Sequence, residues 1–178
     1  NQDGQLDLFN NLPKNEMESI NEGSLIVIKL HSNGLRVIIV GNKDNCINLI
    51  EKNSNELEKK AFNDWTTHNI QSGIPNIFHE TQETFIPQSI NLDIIDAINF
   101  KKGCYTGQEI VARTHYLGKP KRRMYKAFFK SESQPLYGDA LVDGEDLVGQ
   151  VVDIARTDNE KFVLLIEVRI NSELNNLT

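Results

Sequence analysis

The sequence is poor in the residues that build disulfide frameworks, metal centres and membrane spans. Its two cysteines, Cys46 and Cys104, can form at most one disulfide, and such scarcity is typical of a reducing compartment such as the cytoplasm. No apolar run approaches the roughly 20 residues that a membrane-spanning helix needs. The four histidines and two cysteines lack the paired spacing of zinc ligands, so the sequence predicts no stable metal site.

Negative charge prevails in this chain, with one local exception. The 178 residues carry a formal net charge of −6, which disfavours a protein that coats nucleic acid. Residues 113–130, called the basic stretch below, contain seven Lys or Arg and no Asp or Glu. This concentration predicts one anionic partner bound at one place.

The beginning of the chain predicts an irregular lead-in followed by a β-hairpin. The chain does not begin with methionine, so we expect that an N-terminal part of the original protein lies outside it. Residues 1–22 are rich in Asn and lack periodicity, which predicts irregular structure. Residues 24–31 and 35–41 are rich in Ile, Val and Leu, and Asn33 and Gly34 between them favour a tight hairpin turn.

The next segment predicts helices. Asp44 and Ser54 are typical N-cap residues, and they predict two helices that reach about residues 51 and 70. Gly73 and Pro75 should end the second helix, because Gly accepts the left-handed position after a helix and Pro cannot continue it. A further short helix is predicted over residues 92–97.

The clearest helix signal covers residues 106–117. Thr106 and Glu109 fit a capping box, in which each side chain binds a backbone N–H group that the helix leaves unpaired. Gly118 and Pro120 should end this helix. Short apolar segments separated by turn residues then predict strands over 122–130, 147–154 and 162–170, which is typical of a small barrel or sandwich.

The residues around Cys104 form the segment with the most chemical interest. Cys104 lies just before the predicted helix start, where free N–H groups, the helix dipole and the preceding Lys101 and Lys102 favour a thiolate. Gly103 and Gly107 allow the backbone to approach a ligand closely. The segment can therefore hold a reactive thiol or a bound anion. The structural alternative is that these residues only form a turn and a helix cap.

A cysteine–histidine dyad within this segment is not expected. His115 is eleven residues beyond Cys104, which corresponds to about 16 Å along a helix. That separation is far outside hydrogen-bond reach. Cysteine-protease chemistry would therefore need a base from elsewhere in the protein.

Several ordered motifs together resemble the signature of the YgfZ family. Residues 102–109 read Lys-Gly-Cys-Tyr-Thr-Gly-Gln-Glu and are followed by Val-Ala-Arg at 111–113. Upstream, Gly-Ile-Pro at 73–75 precedes Phe-Ile-Pro-Gln at 85–88. The resemblance runs from about Trp65 to Arg123.

This resemblance implies a fold and a function. It implies an α+β chain with a ferredoxin-like antiparallel sheet and helices in residues 1–120, and a small C-terminal β-barrel in residues 121–178. Proteins of this family are similar in fold to the T-protein of glycine cleavage. They bind tetrahydrofolate or another reduced folate, and they support iron–sulfur enzymes, including those that modify tRNA.

The resemblance also assigns site residues. Cys104 matches the cysteine of the family motif, as a thiol donor, a transient cluster ligand or a redox-sensitive group. One thiolate cannot hold a four-ligand cluster, so a cluster role would need a partner. Trp65 matches a folate-contacting tryptophan, and a flat pterin needs an aromatic face. Further folate-binding candidates in the motif are Gly103, Tyr105, Gln108, Glu109 and Arg113.

The basic stretch supplies candidate anion-binding residues. These are Lys119, Lys121, Arg122 and Arg123. They could hold the glutamyl tail of a folate or RNA phosphates, or they could form only a solvated face.

Three functions follow from these features. The preferred one is a folate-binding accessory protein for iron–sulfur enzymes and tRNA modification, with possible direct contact to tRNA. The second is an aminomethyltransferase of the T-protein kind, so the sequence leaves open whether the protein is an enzyme. The third is an RNA-binding module without folate, which rests on the basic stretch alone.

Overall fold

The structure is a computed structural model, and it describes residues 12–32, 34–158 and 160–170. These residues form seven strands, three α-helices and one 3₁₀ turn at His79–Thr81. The chain divides into two compact units between Ala61 and Phe62. None of the described helices is long and apolar enough to cross a membrane.

The first unit contains a three-stranded antiparallel sheet. Strand β1 (Ser19–Glu22) pairs with β2 (Leu25–Lys29), and β2 pairs with β3 (Val37–Val40). The predicted hairpin is thus confirmed in β2 and β3, although Asn33 of its turn lies outside the described residues. The predicted irregular lead-in is wrong at β1, a strand too short and polar to show a period in the sequence.

Helix α1 (Lys43–Lys52) follows β3 and confirms the first predicted helix. Its N-cap is Asn42, whose side-chain oxygen accepts the Asn45 N–H at 2.9 Å, so the prediction that Asp44 is the cap is wrong. Gly41 before it lies against the sheet, because an added Cβ would stand 2.5 Å from Leu25 Cδ2. The close turn out of β3 therefore sets where the helix begins.

The second unit is built on a four-stranded antiparallel sheet. Its strands are β4 (Arg122–Lys130), β5 (Ala140–Asp143), β6 (Asp146–Asp158) and β7 (Lys161–Arg169), in the order β4-β7-β6-β5. The three predicted strands are confirmed, while β5, with only four residues, was not predicted. Among the described residues this sheet is open, with β4 and β5 at its edges, so neither the closed barrel nor the ferredoxin-like layer is confirmed.

Both faces of this sheet are apolar. One face packs with helix α2 (Phe62–Gln71) and the segment around Ile90 in a cluster that includes Met124, Val163 and Leu165. The other face carries a second cluster, formed by Val151, Ile154, Phe162, Leu164, Ile166 and Val168. Apolar residues on both sides of Pro120 share the first cluster, so this unit spans the predicted domain boundary at 120.

Helix α2 begins at Phe62, seven residues later than a cap at Ser54 predicts. The Asn53 carbonyl accepts the N–H groups of Glu56 and Leu57, so the predicted cap Ser54 lies in a turn that follows α1. Asn63, in the first turn of α2, exchanges two hydrogen bonds with the backbone of Arg156 on β6. The start of α2 is therefore set by a contact with the sheet, which local sequence does not reveal.

The predicted end of α2 is confirmed. Gly73 has φ +71°, and the Ile74 N–H donates to the Asn69 carbonyl at 2.9 Å, as in a Schellman motif. In contrast, residues 92–96 form consecutive turns, and the helix predicted over residues 92–97 is wrong. Asn91 and Asp96 have φ of +61° and +54°, and these left-handed residues interrupt a regular helix.

Helix α3 (Gln108–Leu117) confirms the strongest helix prediction and its end at Gly118. The N-cap is Gly107, with φ +87° and no side-chain cap, so the predicted capping box of Thr106 and Glu109 is wrong. The left-handed backbone at Gly107 displaces Thr106 from the cap position. The side chain of Gln108 accepts the Tyr105 N–H at 3.3 Å instead.

Candidate functional site

The segment of residues 99–107, called the Cys104 loop, leads into α3. Asn99 shapes its beginning, because its side-chain oxygen accepts the N–H groups of Lys101 at 2.9 Å and Lys102 at 3.1 Å. At its end, the Gln108 N–H donates to the Tyr105 carbonyl at 3.2 Å. These hydrogen bonds, two to the Asn99 side chain and one between backbone groups, fix both ends of the loop and leave Cys104 between them.

Cys104 is exposed and has a free thiol, and Cys46 in the first unit is free as well. Gly103 beside it has open space around it, since an added Cβ would meet no atom within 4 Å. A partner molecule can therefore approach the thiol from solvent. Across the residues that the structure describes, no group of three His, Cys, Asp or Glu side chains could hold a metal ion.

An aromatic cluster connects the Cys104 loop to the end of α3. Phe100 stacks on His115 with ring centroids 3.8 Å apart and an interplanar angle of 15°. Tyr116 meets both rings edge-on, at 4.7 Å from His115 and 6.2 Å from Phe100. His115 therefore packs against the start of the loop, an arrangement that supports the loop.

The motif segment around Gln88 holds α3 and β4 together. The buried Gln88 amide donates to the Val111 carbonyl of α3 at 2.6 Å. Arg123 of β4 donates to the Gln88 carbonyl at 2.8 Å and forms a two-pronged ion pair with Asp93, at 2.6 and 2.9 Å. Asn91 donates to the Met124 carbonyl at 2.7 Å. These residues of the motif build the framework on which the Cys104 loop is presented.

The predicted anion-binding residues differ in their surroundings. Arg123 is engaged by Asp93, and Arg122 is engaged by the buried Glu167 at 2.8 Å. Lys119 and Lys121 are exposed, and neither forms an ion pair with any residue that the structure describes. The two lysines are therefore the members of this group with charge available to a ligand.

The predicted folate-binding residues lie on α2, on the Cys104 loop and on α3 of the second unit. Trp65 lies on α2 and is 38% exposed, so part of its aromatic surface is accessible. The loop and α3 carry the remaining candidates, which are Gly103, Tyr105, Gln108, Glu109 and Arg113. Arg113 is exposed and can present its guanidinium to a carboxylate.

Sequence reasoning missed one buried carboxylate, Asp153 in β6. It is fully buried and accepts hydrogen bonds from the Asn76 side chain at 2.8 Å, the Asn76 N–H at 3.2 Å and the Ile154 N–H at 2.8 Å. Burial raises the pKa of Asp153, although these hydrogen bonds act in the opposite direction. The signal for such a buried carboxylate in the sequence was one acid flanked by apolar residues within a strand. Glu167 in β7 is a second buried carboxylate with the same signal.

Tyr137 is a second group in this region whose pKa is raised by burial. Tyr137 stacks on Phe78 with ring centroids 3.8 Å apart. Its pKa is raised, mainly by burial and further by the negative charges of Asp153 and Glu80. This cluster ties the segment after α2 to β6 and belongs to the framework of the unit.

The fold and the site thus define an α+β protein that presents one exposed thiol in a fixed loop before a short helix. No family model matches the chain. It is 31% identical over 169 residues to the tRNA-modifying protein YgfZ of Escherichia fergusonii, in an alignment that covers 94% of this chain. The chain spans about half the length, 52%, of that relative. This similarity supports the assignment of the chain to the YgfZ family.

Proposed function

We propose that this protein is a cytoplasmic, folate-binding accessory protein that supports iron–sulfur enzymes and tRNA modification. The observation that carries the proposal is its similarity, over nearly the whole chain, to a protein described as tRNA-modifying. The exposed Cys104 loop supports it, because a thiol that acts on a partner must be accessible.

The residues present are suited to a reduced folate. The accessible face of Trp65 can stack on the pterin ring, and the exposed Arg113 can pair with a glutamyl carboxylate. The open space at Gly103 allows close approach of a ligand to the backbone. Tetrahydrofolate would supply one-carbon chemistry, while these residues would bind and orient it.

Cys104 is proposed to act together with a partner. One thiolate leaves an iron–sulfur cluster short of ligands, and the described residues offer no set of further ligands around a metal. A client iron–sulfur enzyme would therefore either supply the other cluster ligands or be the protein on which the Cys104 thiol acts. The exposure of Cys104 on a loop fixed at both ends supports such a contact.

Calorimetric titration with tetrahydrofolate tests the folate proposal. We expect saturable binding that Trp65→Ala weakens by at least about fivefold, because one ring-stacking contact contributes roughly 1–3 kcal/mol. Phe62→Ala is the matched control, since Phe62 is an aromatic residue of the same helix and is 80% exposed. Absence of binding by the unaltered protein, or equal weakening by both variants, would contradict the proposal.

Direct RNA binding is a second candidate function, and one observation favours it. Arg113, Lys119, Lys121 and Lys126 are exposed, and Tyr116 and Tyr125 are exposed among them. Cations with interleaved aromatic rings can contact phosphates and bases. Affinity for tRNA that does not fall with rising salt would exclude phosphate contacts as its source.

A further inference from the structure

A cleft of about 520 Å³ opens in the second unit, beside the loop that precedes β4. This volume falls within the roughly 300–1,000 Å³ that is common for small-molecule sites. Its apolar walls come from Ile86, Pro120, Ala140 and Leu147. Neither Trp65 nor Cys104 lines it, so the cleft is separate from the residues of the folate proposal.

Positive charge is concentrated at the edge of this cleft. Lys119, Lys121 and Arg122 line it, and the same three residues line an adjoining groove that also contains Arg169. Lys119, Lys121 and Arg169 are exposed and have no ion pair with any other described residue. We call Lys119, Lys121, Arg122 and Arg169 the cationic rim.

Strand pairing holds two arginines of the cationic rim against each other. Arg122 of β4 lies directly opposite Arg169 of β7, and the Ile170 N–H donates to the Lys121 carbonyl at 3.0 Å. Like charges at directly opposed positions destabilise a sheet. Glu167 is the one acid among the described residues that line this cleft, and it pairs with Arg122 and not with Arg169. A bound anion would relieve this repulsion.

The inner wall of the cleft offers polar groups as well. Gln88 and Ser89 line it, and these two residues are only 1% and 7% exposed. No described residue forms a hydrogen bond with Gln88 Oε1 or Ser89 Oγ. Buried polar atoms in folded proteins normally have a partner. The Ser89 hydroxyl can serve as a donor to an occupant once it turns towards the cleft.

We propose that this cleft binds a small organic phosphate. The cationic rim holds the phosphate group, since Lys acts as a point charge and Arg offers a planar fork of donors. The apolar walls hold the organic part. A phosphate group carries up to two negative charges, which suits a rim with three cations that lack a partner better than one carboxylate does.

Titration with phenyl phosphate, followed by calorimetry and by NMR of the labelled protein, tests the proposal. We expect binding about tenfold tighter than that of inorganic phosphate, and the affinity should decrease with rising salt. The double variant Lys119→Gln/Lys121→Gln and the single variant Arg169→Gln should each weaken binding by about tenfold. Ser89→Ala should weaken it by a smaller factor.

Lys126→Gln is the matched control. Lys126 is an exposed cation of β4 that lines neither this cleft nor the adjoining groove, so its variant should bind phenyl phosphate as the unaltered protein does. The rim residues that are changed are exposed, and thermal unfolding should show that the variants remain folded. Trp65→Ala should leave this binding unchanged, which separates the proposal from the folate proposal.

Three outcomes would overturn the proposal. Equal affinity for phenyl phosphate and inorganic phosphate would indicate an adventitious ion only. Equal or tighter binding of benzoate would indicate a carboxylate site. Rim-dependent binding of a short RNA without binding of phenyl phosphate would indicate a nucleic-acid surface instead of a small-molecule site.

Discussion

Asp153 shows how a single side chain can link the segment after α2 to the sheet. Its carboxylate has no exposed surface, and all three of its hydrogen-bond donors come from Asn76 and Ile154. Burial disfavours the charged form more than these donors favour it, so the pKa lies above the ordinary value of 3.8. The protonated form is therefore more compatible with the folded state than the charged form.

The raised pKa of Asp153 predicts a specific pH dependence of stability. Between pH 3.8 and the raised pKa, the folded state binds more protons at Asp153 than the unfolded state does. The contribution of this group to the free energy of unfolding is therefore largest below pH 3.8 and decreases as pH rises through the folded pKa. Urea unfolding across this pH range measures it.

Two variants test whether Asp153 causes this pH dependence of stability. Asp153→Asn should remove this pH-dependent contribution to the free energy of unfolding. The variant should also be less stable by about 1–3 kcal/mol, because one of the buried N–H donors loses its acceptor. Asp143→Asn changes an exposed carboxylate of the same sheet and is the control. An unchanged pH profile in Asp153→Asn would contradict the assignment.

The ion pair of Arg123 illustrates the limit of sequence reasoning at the residue scale. The cluster of Lys and Arg on both sides of Pro120 predicted four anion-binding side chains. Two of these have internal acids, because Asp93 lies 30 residues upstream of Arg123 and Glu167 lies 45 residues downstream of Arg122. The charge pattern was enough to locate the basic stretch in the sequence. The acids that pair with its arginines could not be predicted, because these pairs depend on strand register and on the turns after Asn91.

At the scale of elements, β6 and β7 approach each other closely at Gly149. Gly149 of β6 is buried, and an added Cβ would stand 2.3 Å from the Glu167 carbonyl oxygen and 2.6 Å from Val168 Cγ1. Backbone atoms on a central strand cannot move away without breaking the ladder. Glycine at this position therefore permits the pairing of β6 with β7.

Gly149→Ala should consequently destabilise the protein. We expect a loss of about 1–3 kcal/mol in the free energy of unfolding, since overpacked sites typically cost this much. Gly103→Ala is the control, because its added Cβ would meet no atom within 4 Å. Chemical denaturation measures both variants. A Gly149→Ala protein as stable as the Gly103→Ala protein would show that the strands are less closely packed.

Helix starts were harder to predict than helix ends. Gly73 and Gly118 ended α2 and α3 as predicted, because chain reversal and loss of helical geometry are local properties. The start of α2 depends on Asn63 binding β6, and the start of α3 depends on the left-handed backbone at Gly107. Neither of these conditions is visible in a window of a few residues.

For the whole molecule, the sequence predicted the mixed helix and strand content and the family. It did not predict the division at Ala61 and Phe62 or the open sheet order β4-β7-β6-β5. These features depend on apolar side chains far apart in the chain, such as Ile70 and Leu165, which meet only after folding. Within the candidate site, local sequence and the family resemblance both indicated Cys104, and the resemblance alone assigned a folate contact to Trp65. Arg169 of the cationic rim became apparent only through strand pairing.

Trp65 is the only tryptophan in the chain, so its fluorescence reports directly on whether this protein binds a reduced folate. Tetrahydrofolate should quench this fluorescence with a saturable curve, because a pterin stacked on the ring replaces water at its accessible face. N-acetyltryptophanamide at matched absorbance corrects for light absorbed by the ligand. Saturable quenching beyond that correction supports the account. A linear loss of signal identical to that of the free fluorophore would contradict it.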